Sequence, residues 1–115
     1  MTATTVPRAL VLSLSTALFI AAGADAGLRA SAETDSAIVM SNFDFTPMAI
    51  TVPVGTTVSW TNKDGEPHTV TSLDGQFRSG ALDTDESFKF KFTKAGVYRY
   101  VCSIHPRMTG TVTVK

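Results

Sequence analysis

The sequence predicts an all-β domain, a sandwich of about seven to eight short strands. Three observations carry this. Short apolar runs alternate with polar residues, as the two faces of a strand require. Gly, Pro, Asn and Asp stand between the runs, where turns need them. No stretch after residue 36 has the spacing of a long amphipathic helix.

The elements follow in order. Ile38, Val39 and Met40, then Phe43 and Phe45, are apolar among polar neighbours, and Pro47 ends or kinks the run. Ala49 to Val52 is a second run, closed by the turn residues Pro53-Val54-Gly55. From Thr56 to Asn62, Val58 and Trp60 share one face of a half-buried strand. Lys63 to Pro67 is a loop, and His68 is expected to open a strand running to Ser72. Leu73 to Asp85 is irregular. Phe88, Phe90 and Phe92 alternate with Lys89 and Lys91, the clearest period of two in the chain. Val97, Arg99 and Val101 alternate with Tyr98, Tyr100 and Cys102. Thr109 to Val114 is the last strand.

The start of the chain has a different character. Met1 to Arg8 carries one positive charge, Ala9 to Ala22 is apolar apart from three hydroxyl residues, and Ala24-Asp25-Ala26 offers small residues at a cleavage site. These are the parts of a secretory signal peptide. The expected organisation is a signal peptide at 1–26 (alternative cut after 32), a flexible lead-in at 27–36 and one domain at 37–115. The competing reading, an uncleaved anchor, needs about 20 apolar residues to span a bilayer, more than this run supplies. A lipid anchor needs a Cys near the cut, and the single Cys is at 102. Export into a bacterial periplasm follows.

Ten Lys and Arg balance ten Asp and Glu. With no basic cluster, nucleic acid is not the expected partner. One Cys cannot form an internal disulfide, so an exported chain that carries it calls for an explanation. The explanation lies beside it. The chain has one Cys and two His. Cys102 and His105 sit with Met108 in Cys102-x-x-His105-x-x-Met108, and His68 lies upstream. Two His, one Cys and a weak axial Met form the ligand set of a blue-copper site. Thiolate and thioether favour Cu(I), and imidazole suits both oxidation states. Pro106 fixes its own φ and stiffens the loop after His105. Zinc is the rival metal, but its sites rarely use Met. Met40 and Met48 are expected in the core or on the surface. Asp64 and Glu66 are expected as solvated loop carboxylates.

From about Phe43 to Lys115 the chain resembles a small cupredoxin of the amicyanin and plastocyanin-like group. Trp60-Thr61-Asn62 followed by His68 resembles the amicyanin ligand segment, and Cys102 to Met108 has amicyanin's short loop. The resemblance implies a Greek-key sandwich, one copper ion cycling between Cu(I) and Cu(II), and the metal ligands His68, Cys102, His105 and Met108. It also carries the family's outer-sphere Asn, which pins the ligand loop near the thiolate, onto Asn62. The chain departs from amicyanin at Arg107, where that family has an apolar residue, and this bears on whether the partner surface is the same.

The implied function is single-electron transfer by a type 1 copper protein, with a c-type cytochrome or a quinoprotein amine dehydrogenase as partner and a monomer as the working form. The alternative is a periplasmic copper carrier or buffer, which a closed cage disfavours. Four protein ligands leave no open position for a substrate, so an enzyme is not expected. His105 is the expected exit for the electron, with Pro106 and the Pro47-Met48 region as an apolar rim.

Overall fold

The structure, a computed structural model, describes Thr2, Ala3 and residues 34–115. The expected signal peptide, both cleavage sites and most of the lead-in lie outside the described residues. The described residues form eight strands and no helix: β1 (Asp35–Ser41), β2 (Asp44–Thr46), β3 (Ala49–Val52), β4 (Thr57–Asn62), β5 (Thr71–Ser72), β6 (Ser87–Lys91), β7 (Gly96–Val101) and β8 (Thr109–Val114). One sheet has the order β2-β1-β4-β6, the other β3-β8-β7-β5. Pairing is parallel between β1 and β4 and between β3 and β8, and antiparallel elsewhere. The result is the expected Greek-key sandwich.

The period of two puts one set of side chains from each strand into the space between the sheets. β1 contributes Ile38 and Met40, β4 Val58 and Trp60, β8 Val112 and Val114, all buried. Register matches them in layers, with Ile38 opposite Trp60 and Met40 opposite Asn62. Trp60 is the centre, its ring within 5.4–6.4 Å of Phe77, Phe88, Phe92 and Tyr100. On β7 the inward set is Tyr98 and Tyr100, followed by Cys102, while Val97 points out and is 60% exposed. The strand's phase is therefore the one that turns the thiol inward. Gly110 faces Tyr100 across the β7–β8 ladder, and a Cβ at that position would overlap the tyrosine ring.

One element is shorter than expected. The strand predicted from His68 to Ser72 is a strand only at Thr71–Ser72. His68 instead makes an isolated antiparallel bridge with Leu82, donating to the Leu82 carbonyl at 3.1 Å and accepting from its N–H at 2.7 Å. Ser79 N–H continues this pairing to the Val70 carbonyl at 2.8 Å. The irregular segment after Leu73 thus folds back as the partner of His68.

Candidate metal centre

The segment 102–108 leaves the end of β7 and returns into β8 as a closed loop. Cys102 N–H donates to the Met108 carbonyl at 3.0 Å, and Met108 N–H donates to the His105 carbonyl at 2.9 Å. Three of the sequence-predicted residues are brought together at its mouth. Cys102 Sγ lies 3.8 Å from His68 Nδ1 and 3.8 Å from His105 Nδ1, and the two Nδ1 atoms are 3.1 Å apart. Typical metal bonds of about 2.0–2.1 Å to nitrogen and about 2.3 Å to sulfur would hold trigonal donors roughly 3.5–3.8 Å apart. The triangle has that scale, with the nitrogens somewhat closer. Two imidazole lone pairs and a sulfur at such distances repel unless a cation or proton lies between them, so the donor set fits a copper ion. Cys102, His68 and Met108 are buried, whereas the His105 side chain is 27% exposed.

Asn62 is fully buried, but its hydrogen bonds run elsewhere than expected. Its amide donates to the carbonyls of Glu66 at 2.7 Å and Leu82 at 2.9 Å, and its Oδ1 accepts from Asp64 N–H at 2.8 Å. Those bonds shape the loop before His68; none of them reaches Cys102 or its loop. The tie between the two ligand segments is made by Thr69. Its N–H points to Cys102 Sγ at 3.3 Å, and its Oγ1 accepts from Ser103 N–H at 2.7 Å and lies 2.8 Å from Ser103 Oγ.

Asp64, expected to be a solvated loop carboxylate, is part of the site. Its Oδ2 lies 2.8 Å from His68 Nε2, and the side chain is only 13% exposed. Oδ2 also accepts from Phe43 N–H at 2.9 Å, and Oδ1 accepts from Asn42 N–H at 2.8 Å. Burial alone would raise its pKa, but the backbone N–H of Phe43, the His68 ring and the Asn42 N–H outweigh it and hold the carboxyl below the usual range. Glu66 fits the expectation better, at 63% exposed, with Oε2 3.8 Å from His105 Nε2.

Phe43, read from the sequence as part of the first strand run, stands instead in a turn. Asn42 and Phe43 form the two-residue turn between β1 and β2 with φ of 53° and 58°, the left-handed values of the tight hairpin turn that normally takes Asn-Gly. The ring stands edge-on to both imidazoles, 5.4 Å from His68 and 5.0 Å from His105. Phe43, Ile104, His105, Pro106, Arg107 and Met108 line a groove of about 380 Å³. Pro47 and Met48, expected as part of this rim, are not among its lining residues; Met48 accepts Thr111 N–H at 2.9 Å beside β8.

Comparison with known proteins agrees with the fold. The chain matches the cupredoxin-like domain over residues 10–114 and belongs to that family. It is 34% identical over 88 residues to amicyanin of Paracoccus denitrificans, covering 70% of this chain and 67% of that one. It is 36% identical over 84 residues to plastocyanin of Scenedesmus fuscus, covering 62% of this chain and 86% of that one. In structure it is similar to a purple cupredoxin from Nitrosopumilus maritimus, with a TM-score of 0.65, 37% identity, 70% of this chain covered and 100% of that one. Copper is the cofactor of the family, and the amicyanin and plastocyanin relatives are electron carriers rather than enzymes.

Proposed function

We propose that the domain is a type 1 blue-copper protein that passes single electrons between redox proteins of the periplasm. The observation that supports this most is the triangle of His68 Nδ1, His105 Nδ1 and Cys102 Sγ at 3.1–3.8 Å. On this reading His68, His105, Cys102 and Met108 would hold the copper ion. Copper contributes the one-electron couple; the protein contributes a cage that changes little between oxidation states. Cys102 and Met108 are fixed by backbone hydrogen bonds within one loop, and His68 by its bridge to Leu82.

His105 is the ligand through which the electron leaves. It is the more exposed imidazole, and its groove is walled by Phe43, Ile104 and Pro106. A partner's apolar face would exclude water there, which lowers the cost of moving charge between the two proteins. Arg107 lies in the same groove and gives it a positive charge. The resemblance to amicyanin suggests a c-type cytochrome or a quinoprotein amine dehydrogenase as partner. The test is reduction of the copper-loaded domain by such proteins with a copper chelator present. Unchanged rates are expected. Loss of reduction in step with chelator concentration would favour a carrier that delivers the ion itself.

A further inference from the structure

Three separate features of the site meet at one carboxylate. Asp64 contacts His68 Nε2, the Asn42 N–H and the Phe43 N–H. We propose that Asp64 is the positioning residue of this copper centre: it fixes His68 with Nδ1 bare towards the thiolate, holds the strained Asn42-Phe43 turn over both imidazoles, and biases bound copper towards the cupric state. This rests on the copper reading above.

A neutral imidazole has one N–H and one lone pair, and an ionised carboxylate can only accept. With Oδ2 2.8 Å away, the proton of His68 sits on Nε2. Nδ1 is then the lone-pair nitrogen, and it is the atom that faces Cys102 Sγ and His105 Nδ1. His68 is wholly buried, so no water competes for Nε2. A carboxylate accepting from the remote nitrogen also makes the ligating one more basic. A more basic donor, with a negative charge behind it, favours the ion of higher charge, so the potential is held down.

The same carboxylate fixes the cover. A left-handed backbone is unfavourable for a residue with a side chain, and for Phe43 no local side-chain hydrogen bond offsets it. The two N–H groups of the turn both donate to Asp64, one to each oxygen. The turn and His68 are thus held by one group, which is why Phe43 stands at similar distances from both rings. The supporting chain is complete, since Asp64 N–H is itself held by the buried Asn62.

The experiment compares wild type, Asp64→Asn and Asp64→Ala in the full domain, by two readouts. In the metal-free protein, nitrogen-detected NMR reads the His68 tautomer; the Nε2–H form is expected in wild type and a mixture in Asp64→Ala. In the copper-loaded protein, Cu(II) affinity is expected to fall about 10–100-fold in Asp64→Ala, and Cu(I) affinity less. The potential then rises by about 59 mV for each tenfold change in the ratio. Asp64→Asn keeps an acceptor for Nε2–H but not the charge, so it should keep the tautomer and still raise the potential. A blue wild type whose Asp64→Ala variant keeps both tautomer and potential would overturn this proposal and leave the copper reading standing. A wild type that takes up no copper in the blue form would overturn both.

Discussion

Cys102 and Met108 sit at opposite ends of one loop but are expected to differ in weight. With copper bound, the thiolate would be the strong ligand and the thioether a weak contact that adjusts the potential. Cys102→Ser should therefore abolish the blue colour, whereas Met108→Gln should stay blue at a different potential; optical spectra of the two Cu(II)-loaded variants decide it. Asn62 and Thr69 separate two kinds of support. Asn62→Ala removes three hydrogen bonds, to the Glu66 and Leu82 carbonyls and from Asp64 N–H, of which the Leu82 carbonyl alone keeps another donor, His68 N–H; each lost bond costs about 0.5–1.5 kcal/mol. Denaturant unfolding should show a large loss of stability, with weaker copper binding through the loosened Asp64 loop. Thr69→Val removes the acceptor for Ser103 N–H and should weaken copper binding with a smaller loss of stability. Equal effects of the two variants on both measurements would erase the distinction. The three clustered donors, His68, Cys102 and His105, were legible because Cys and His are rare in this chain. Asp64 and Thr69 were not, because carboxylates and hydroxyls are common on loops and only the folded turn aims these two at the metal centre.

At the scale of elements, β7 and β8 set the inward phase of the thiol. Tyr100 lies two residues before Cys102 on the same face, with its hydroxyl and the Trp60 Nε1 both buried and without a hydrogen-bond partner. Burial pushes the Tyr100 phenol up to about 12. The unfolded chain loses that proton near pH 10, so above it the unfolded state binds fewer protons and stability falls. The loss should run from about pH 10 to 12 and reach roughly 3 kcal/mol. Tyr100→Phe should remove this pH dependence without loss of stability at neutral pH, because the hydroxyl satisfies nothing. Guanidinium unfolding at neutral and alkaline pH checks both statements. Gly110→Ala should destabilise by about 1–3 kcal/mol through overpacking, since its Cβ overlaps the Tyr100 ring. The strand pattern itself was readable from alternation. The shortened β5 was not, because the partner of His68 is an irregular segment with no period of its own. Nor was the position of Phe43: Asn42 favours a left-handed turn, but Phe where Gly normally follows gives no sign of one.

For the whole molecule, the two sheets form the rigid frame and the metal centre sits where chain segments leave it. His68 comes from the segment before β5 and the remaining donors from the loop between β7 and β8, so copper would join two parts of the sandwich. The dense aromatic core around Trp60 holds those parts together, and on the copper reading the loop hydrogen bonds would keep the donor triangle in place as the metal changes charge. The central claim is that this frame imposes a trigonal thiolate site on copper. The optical and EPR spectra of the Cu(II)-loaded domain test it most directly. The account predicts one copper per chain, an intense visible thiolate-to-copper band and a narrow copper hyperfine splitting. A pale protein with the wide hyperfine splitting of ordinary tetragonal copper would contradict it.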